Sequence, residues 1–249
     1  MKVKTILVSQ PEPAKVENSP YAELEQKQKV KVDFVPFIHV EEVDAMHVRR
    51  QKINLEDYTA IIMTSRRSVD NFFRIAKEMR YEVPISLKYF CLSEAVAYYL
   101  QKYVVYRKRK IYVGTRTIED LAPILKKFKD EKFLLPSSNM LKPAIPKQLN
   151  KLELDWKQAV FYKTVVSDLS HLEHVFYDIV VFFSPSGIKS LFENFPDFKQ
   201  NNTRIAVFGN STNKAAKRHG LKVNILAPTK EAPSMTKALE NYINETNKK

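Results

Sequence analysis

The sequence predicts an α/β chain of two similar lobes, each a parallel sheet flanked by helices. Three observations carry that prediction. Residues 177–192 read as a strand, a tight turn and a helix: Ile179-Val-Val-Phe-Phe183 is a continuous apolar run suited to a strand covered on both faces, and Ile188, Leu191, Phe192 and Phe195 recur at helical spacing. Residues 58–65, followed by Val69, Phe72 and Phe73, repeat that unit without a gap. Strands then alternate with helices along the rest of the chain. Each repeat presents a serine turn and a helix N-terminus with free backbone N–H groups, and in open α/β sheets ligands bind at such turns.

In chain order, Thr5, Ile6, Leu7 and Val8 form a first strand, and Pro11 and Pro13 in the following loop forbid an immediate helix. Residues near 21–28 are helical. Residues 30–40, alternating around Val32, Phe34, Pro36 and Ile38, read as one strand that runs on through Pro36, which makes it an edge or a connector. A charged segment leads to the first serine unit, with a helix over 68–80 that buries Val69, Phe72, Phe73, Ala76 and Met79. Residues 88–92 are a strand and 94–102 a helix. The stretch 104–113 is interrupted by Arg107, Lys108, Arg109 and Lys110, a solvated turn. Thr117 and Asp120 resemble a capping box ahead of Leu121, Ile124, Leu125 and Phe128. Phe133, Leu134 and Leu135 form a short strand that ends at Pro136.

Residues 157–166 have strand composition and hold the place in the repeat that 30–40 hold earlier, so the chain crosses between lobes twice. That puts residues 1–36 and 168–249 in lobe 1 and 37–160 in lobe 2, with linker strands near 34–40 and 160–167. After the second serine unit come a strand over 204–208, a turn over 209–212, and a helix through Lys217 closed by Gly220. A strand over 223–226 and a helix over 234–244 complete the pattern.

The 249 residues suffice for two modest domains, and 44% hydrophobic residues is ordinary for packed cores. No apolar run has the length to span a bilayer, and the first residues lead into a strand rather than a signal-peptide core, so a cytoplasmic location is expected. Cys91, the single cysteine, sits in a strand and reads as core. The net charge of +13 and pI near 9.6 attract polyanions: nucleic acid, anionic lipid, or a small molecule with several carboxylates or phosphates. Neither G-x-G-x-x-G nor G-x-x-x-x-G-K-[ST] occurs, which counts against a dinucleotide or P-loop site. His171 and His174 sit three apart with no cysteine or acidic constellation beside them, so no metal site is expected.

Four segments, Phe182-Phe-Ser-Pro-Ser-Gly187, Ile205-Ala-Val-Phe-Gly-Asn-Ser-Thr212, Thr64-Ser65 with Val69, and Phe161-Tyr162-Lys163-Thr164, resemble the uroporphyrinogen-III synthase family. They fall in the family's order and cover nearly the whole chain. The resemblance implies a two-stranded linker between the lobes, the substrate in the cleft they form, and no metal or cofactor. It implies a lyase that cyclises hydroxymethylbilane, a linear tetrapyrrole polycarboxylate, in tetrapyrrole biosynthesis. Ser65, Ser184, Ser186 and Thr212 would bind substrate, largely together with backbone groups, and Tyr162 would be the catalytic candidate. Arg66, beside Ser65, adds a cation toward the eight substrate carboxylates. Read from the residues alone, Tyr162 is a half-buried strand tyrosine and the four hydroxyl residues are N-caps.

The chain departs from the family's arginine, glycine and threonine at Gln10, Ser93 and Val96. These departures keep open a non-catalytic two-lobed tetrapyrrole- or anion-binding regulatory protein of the same fold. In either case the expectation is a monomer with no nucleic-acid or membrane partner.

Overall fold

A short strand with three consecutive buried residues starts the chain in a computed structural model that describes residues 2–247. This strand, β1 (Thr5–Val8), is followed by α1 (Pro20–Gln28), whose N-cap Ser19 accepts from the Ala22 N–H with proline in the first turn. Next come β2 (Lys31–Phe34) and β3 (Ile38–Glu42). The single strand expected over 30–40 is therefore two strands, broken at Val35-Pro36-Phe37. Pro36 has no N–H for a ladder, and Phe37 is 1% exposed in the core of the first unit.

The segment up to Tyr58 contains α2 (Ala45–Arg50), capped by Asp44. Then β4 (Ala60–Met63), with all four residues buried, turns into α3 (Arg66–Glu78). This helix begins two residues earlier than its apolar spacing suggests, because Ser65 caps it. β5 (Lys88–Cys91), α4 (Glu94–Leu100), β6 (Ile111–Val113) and α5 (Ile118–Leu125) follow. β7 (Lys132–Ser138) runs on through Pro136 rather than ending there. Its pairing with β4 stops at Leu134, so beyond that point it has a strand partner only on the side of β8, where proline is tolerated. α6 (Ala144–Lys151) and the long β8 (Asp155–Val166) close this part of the chain.

The remaining elements are β9 (Ile179–Phe182), α7 (Pro185–Asn194), β10 (Arg204–Phe208), α8 (Asn210–Arg218), β11 (Val223–Ala227) and α9 (Met235–Asn247). The chain divides into two units, Met1–His39 with Val165–Lys249, and Val40–Thr164. In the first unit five parallel strands lie in the order β11-β10-β9-β1-β2. Asp178, 8% exposed, locks β1 to β9 by accepting from the Lys4 and Thr5 N–H groups at 2.8 and 3.0 Å. Helices cover both faces, with α1 and α9 on one and α7 and α8 on the other, and each face has its own apolar cluster.

The second unit carries the order β3-β8-β7-β4-β5-β6, parallel from β8 to β6. α3 and α4 pack on one face around Phe72, Ile75 and Leu100, and α5 and α6 on the other around Phe90, Leu121 and Phe133. Arg74 of α3 ties that helix to β8 and to the residue just after β3. Its guanidinium donates to the carbonyls of Val43 and Phe161 at 2.9 and 3.1 Å and also meets Asn71 and Glu78. Cys91 is fully buried, and burial pushes its thiol up to about 12, so it packs as an inert apolar residue.

Candidate active site

The turn between β4 and α3 is built by two serines. The Ser65 hydroxyl oxygen accepts from the Ser68 N–H at 3.1 Å. The fully buried Ser68 oxygen accepts in return from the Thr64 and Ser65 N–H groups at 3.1 and 3.0 Å, and its hydroxyl donates to the Ser65 carbonyl at 2.7 Å. A short serine thus does the work usually given to glutamate at the third helical position. It leaves the Arg66 and Arg67 N–H groups, at the first two helical positions, without helical acceptors.

β4 has β5 on one side and β7 on the other, so the chain moves outward in one direction and returns on the other. Such a switch opens a crevice at the carboxyl ends of the strands. Here a pocket of about 420 Å³ lies between Thr64 and Ser65 after β4, Leu92 after β5, and Ser137 and Ser138 at the end of β7. The first turns of α5 and α6 and the side chain of Tyr162 complete it.

Tyr162 reaches this pocket because of an irregularity in β8. Ser137 pairs with Val160 but Ser138 pairs with Tyr162, so Phe161 is an extra residue on the β8 side. The bulge breaks the alternation and leaves Phe161 and Tyr162 both buried, at 0% and 8% exposure. Among the described residues the Tyr162 hydroxyl has no hydrogen-bond partner. The next stretch of wall is pinned to the same strand: Asn139 accepts from the Thr164 N–H at 2.8 Å and donates to the Thr164 carbonyl at 3.3 Å.

The pocket's charged side chains are Arg116, Glu119 and Lys142. Thr117 caps α5 by accepting from the Asp120 N–H, and the Asp120 carboxylate accepts from the Arg116 and Thr117 N–H groups at 3.0 and 2.8 Å. The hydroxyl of Thr115 and these backbone donors hold the Asp120 carboxyl down to about 2, so the cap stays charged at any working pH. The sequence pattern reveals this capping box but not the cations beside it. Arg116 and Lys142 lie far apart in sequence, and only the neighbouring positions of α5 and α6 bring them to one pocket.

The other expected residues are distributed as follows. Ser65 lines the pocket as well as capping α3. The Arg66 guanidinium lies over the Tyr99 ring, 5.5 Å from its centre, rather than in the pocket wall. Ser184, in the first unit, caps α7 by accepting from the Gly187 N–H at 3.2 Å, at the carboxyl end of β9 beside β1, which is that sheet's own switch point. A Cβ on Gly187 would stand 3.3 Å from the Phe182 ring and 3.5 Å from the Ser9 hydroxyl, so glycine lets the helix start this close to the strands. Ser186 lies in the first turn of α7, half-buried.

Thr212 lies inside α8 rather than in the turn before it, fully buried, with its hydroxyl unpartnered. The turn itself depends on Gly209, whose φ of +83° is the region that favours glycine. A larger depression of about 520 Å³ in the first unit lies against Tyr177, Phe195 and Thr203. It sits at the amino ends of β9 and β10, the opposite end from where such sheets bind ligands.

A family model described as Uroporphyrinogen-III synthase HemD matches residues 19–237, a stretch that takes in parts of both units and the whole pocket. The chain belongs to the uroporphyrinogen-III synthase family. It is accordingly an enzyme of tetrapyrrole biosynthesis. Among solved structures, a mutant uroporphyrinogen III synthase from the extreme thermophile Thermus thermophilus matches with a TM-score of 0.60 at 13% identity, covering 99% of this chain and 100% of that one. The uroporphyrinogen-III synthetase of Helicobacter pylori matches with a TM-score of 0.60 at 18% identity, covering 98% of this chain and 100% of that one. At these identities the two structures speak for the synthase fold. No curated protein matches the chain.

Proposed function

We propose that the chain is a lyase that converts hydroxymethylbilane to uroporphyrinogen III, with the pocket at the β4–β7 switch as part of its substrate site and Tyr162 as its hydrogen-bond donor. The reaction expels the terminal hydroxyl, which leaves with a proton as water, and yields an electrophilic terminal pyrrole. The pyrrole at the far end attacks it through its substituted carbon to give a spiro intermediate. The old bond from that carbon to the neighbouring methylene breaks, the methylene rejoins at the ring's free carbon with loss of its proton, and the far ring ends inverted. Closure without inversion is spontaneous, so the protein's task is to fix which carbon attacks, which is a matter of orientation.

Tyr162 carries this reading. It is a phenol more than nine-tenths buried, lining a pocket at a topological switch point and without a hydrogen-bond partner among the described residues. Its O–H is a hydrogen-bond donor suited to steadying a departing hydroxyl. Ser65, Ser184 and Ser186 serve at helix starts, where exposed N–H groups favour carboxylates. Arg66 adds to the positive field. The enzyme acts as a monomer in the cytoplasm and needs no cofactor.

Expression in a bacterium deleted for its own synthase tests this function in cells. Restored heme formation is the expected result. Continued accumulation of type I porphyrin at normal expression of the protein overturns it.

A further inference from the structure

The unit formed by residues 40–164 contains one pocket with an unusual combination of walls. Leu92, Ile118, Leu141 and Ile145 give it apolar sides, and Arg116 and Lys142 stand at it with no ion-pair partner among the described residues. The first two N–H groups of α5, on Ile118 and Glu119, have no helical acceptor. One carboxylate oxygen of Asp120, at the third helical position, is already engaged by the Arg116 and Thr117 N–H groups. Glu119 is the one carboxylate in the wall. The Tyr162 hydroxyl, on a residue only 8% exposed, lines the pocket with no hydrogen-bond partner among the described residues and is free to donate to a bound acceptor.

Apolar sides with cations and unused donors suit a flat ring that carries carboxylate arms. The volume limits how much of such a molecule enters. At about 420 Å³ the pocket lies at the small end of the range for single small ligands, roughly 300–1,000 Å³. That is room for one or two substituted pyrroles, not for a chain of four.

We infer that this pocket is a subsite for a single pyrrole bearing carboxylate arms, with Arg116 and Lys142 as the side chains that hold those arms. The inference rests on the synthase reading above, and it assigns roles to two residues outside the family segments on which that reading was built. Both cations sit on the first turn of a helix or in the loop before one, so their charges add to the field of free N–H groups. Recognition of one ring in the second unit lets the protein choose which end of the linear substrate is held before closure.

The test uses the intact protein and porphobilinogen, a single pyrrole with one acetate and one propionate, titrated by calorimetry. The wild type binds it, and the double variant Arg116→Gln/Lys142→Gln loses at least about tenfold in affinity, the scale of one charge-assisted hydrogen bond. Both positions are exposed or half-exposed loop or helix-start residues, and an unchanged urea midpoint verifies that the variant folds. The same variant raises KM for hydroxymethylbilane more than it lowers kcat. Inorganic phosphate, titrated in parallel, binds more weakly than porphobilinogen. No binding of porphobilinogen, equal binding of phosphate, or wild-type affinity and KM in the double variant overturns the subsite even if type III product forms. Binding through these two residues with no type III product overturns the enzymatic reading and leaves the subsite standing.

Discussion

Replacing Ser68 by alanine removes one hydroxyl from the β4–α3 turn and takes three hydrogen bonds with it. The Thr64 and Ser65 N–H groups lose their acceptor and the Ser65 carbonyl loses a donor. Ser68 is fully buried, whereas Thr64 and Ser65 are half-buried, so water recovers some of the loss. A buried donor left unsatisfied costs about 1–3 kcal/mol, and with partial hydration of the two donors the total is about 2 kcal/mol. Ser65→Ala removes a single N-cap acceptor and costs about 1 kcal/mol. The order, Ser68 above Ser65, is the structural claim, because an inventory of caps alone ranks Ser65 first. Trp156, the only tryptophan, lies on β8 in the same unit, so its fluorescence during urea unfolding reads this unit selectively. A Ser68→Ala midpoint equal to or above that of Ser65→Ala refutes the reasoning.

Other perturbations separate chemistry from folding. Tyr162→Phe leaves stability within about 0.5 kcal/mol of wild type, since the hydroxyl has no protein partner among the described residues, and lowers kcat about tenfold, the worth of ~1.4 kcal/mol in a barrier. Wild-type turnover in that variant removes Tyr162 from the mechanism. Gly209→Ala forces an L-residue to φ +83° and destabilises the first unit by about 1–3 kcal/mol although nothing crowds the site; hydrogen exchange of β10 and α8 measures it, and unchanged protection contradicts it. Glu131 gives a pH signature. Burial pushes its carboxyl up, but hydrogen bonds from Lys88 and Thr59 and the Lys88 charge outweigh this and leave it below its ordinary 4.5. A depressed native value stabilises the fold above pH 4.5 and that contribution disappears as pH falls through the lowered value. Glu131→Gln flattens the Trp156-monitored stability profile in this acid window, and an identical slope in both proteins speaks against the pair.

How much of this was legible in the sequence depended on how local the cause was. The runs at 60–63 and 179–182 announced themselves as buried strands because every residue in them is buried. The capping box at Thr117 was equally local. α6 was hidden by Pro143 and Pro146, which look like helix breakers, although a first turn needs no N–H there. α2 disappeared into a charged run because it is six residues long. Proline misled in both directions: Pro36 interrupts a strand that alternation joined, and Pro136 sits within a strand that its presence seemed to end. Tyr162 could be singled out only by resemblance. Its aim into the pocket comes from a bulge at Phe161 that pairing with β7 creates, and no sequence period encodes it.

The most direct test of the synthase account is to supply the purified protein with freshly generated hydroxymethylbilane, oxidise the products and separate the uroporphyrin isomers. The account predicts predominantly type III, formed faster than spontaneous closure. Type I alone, at the rate seen without protein, contradicts it.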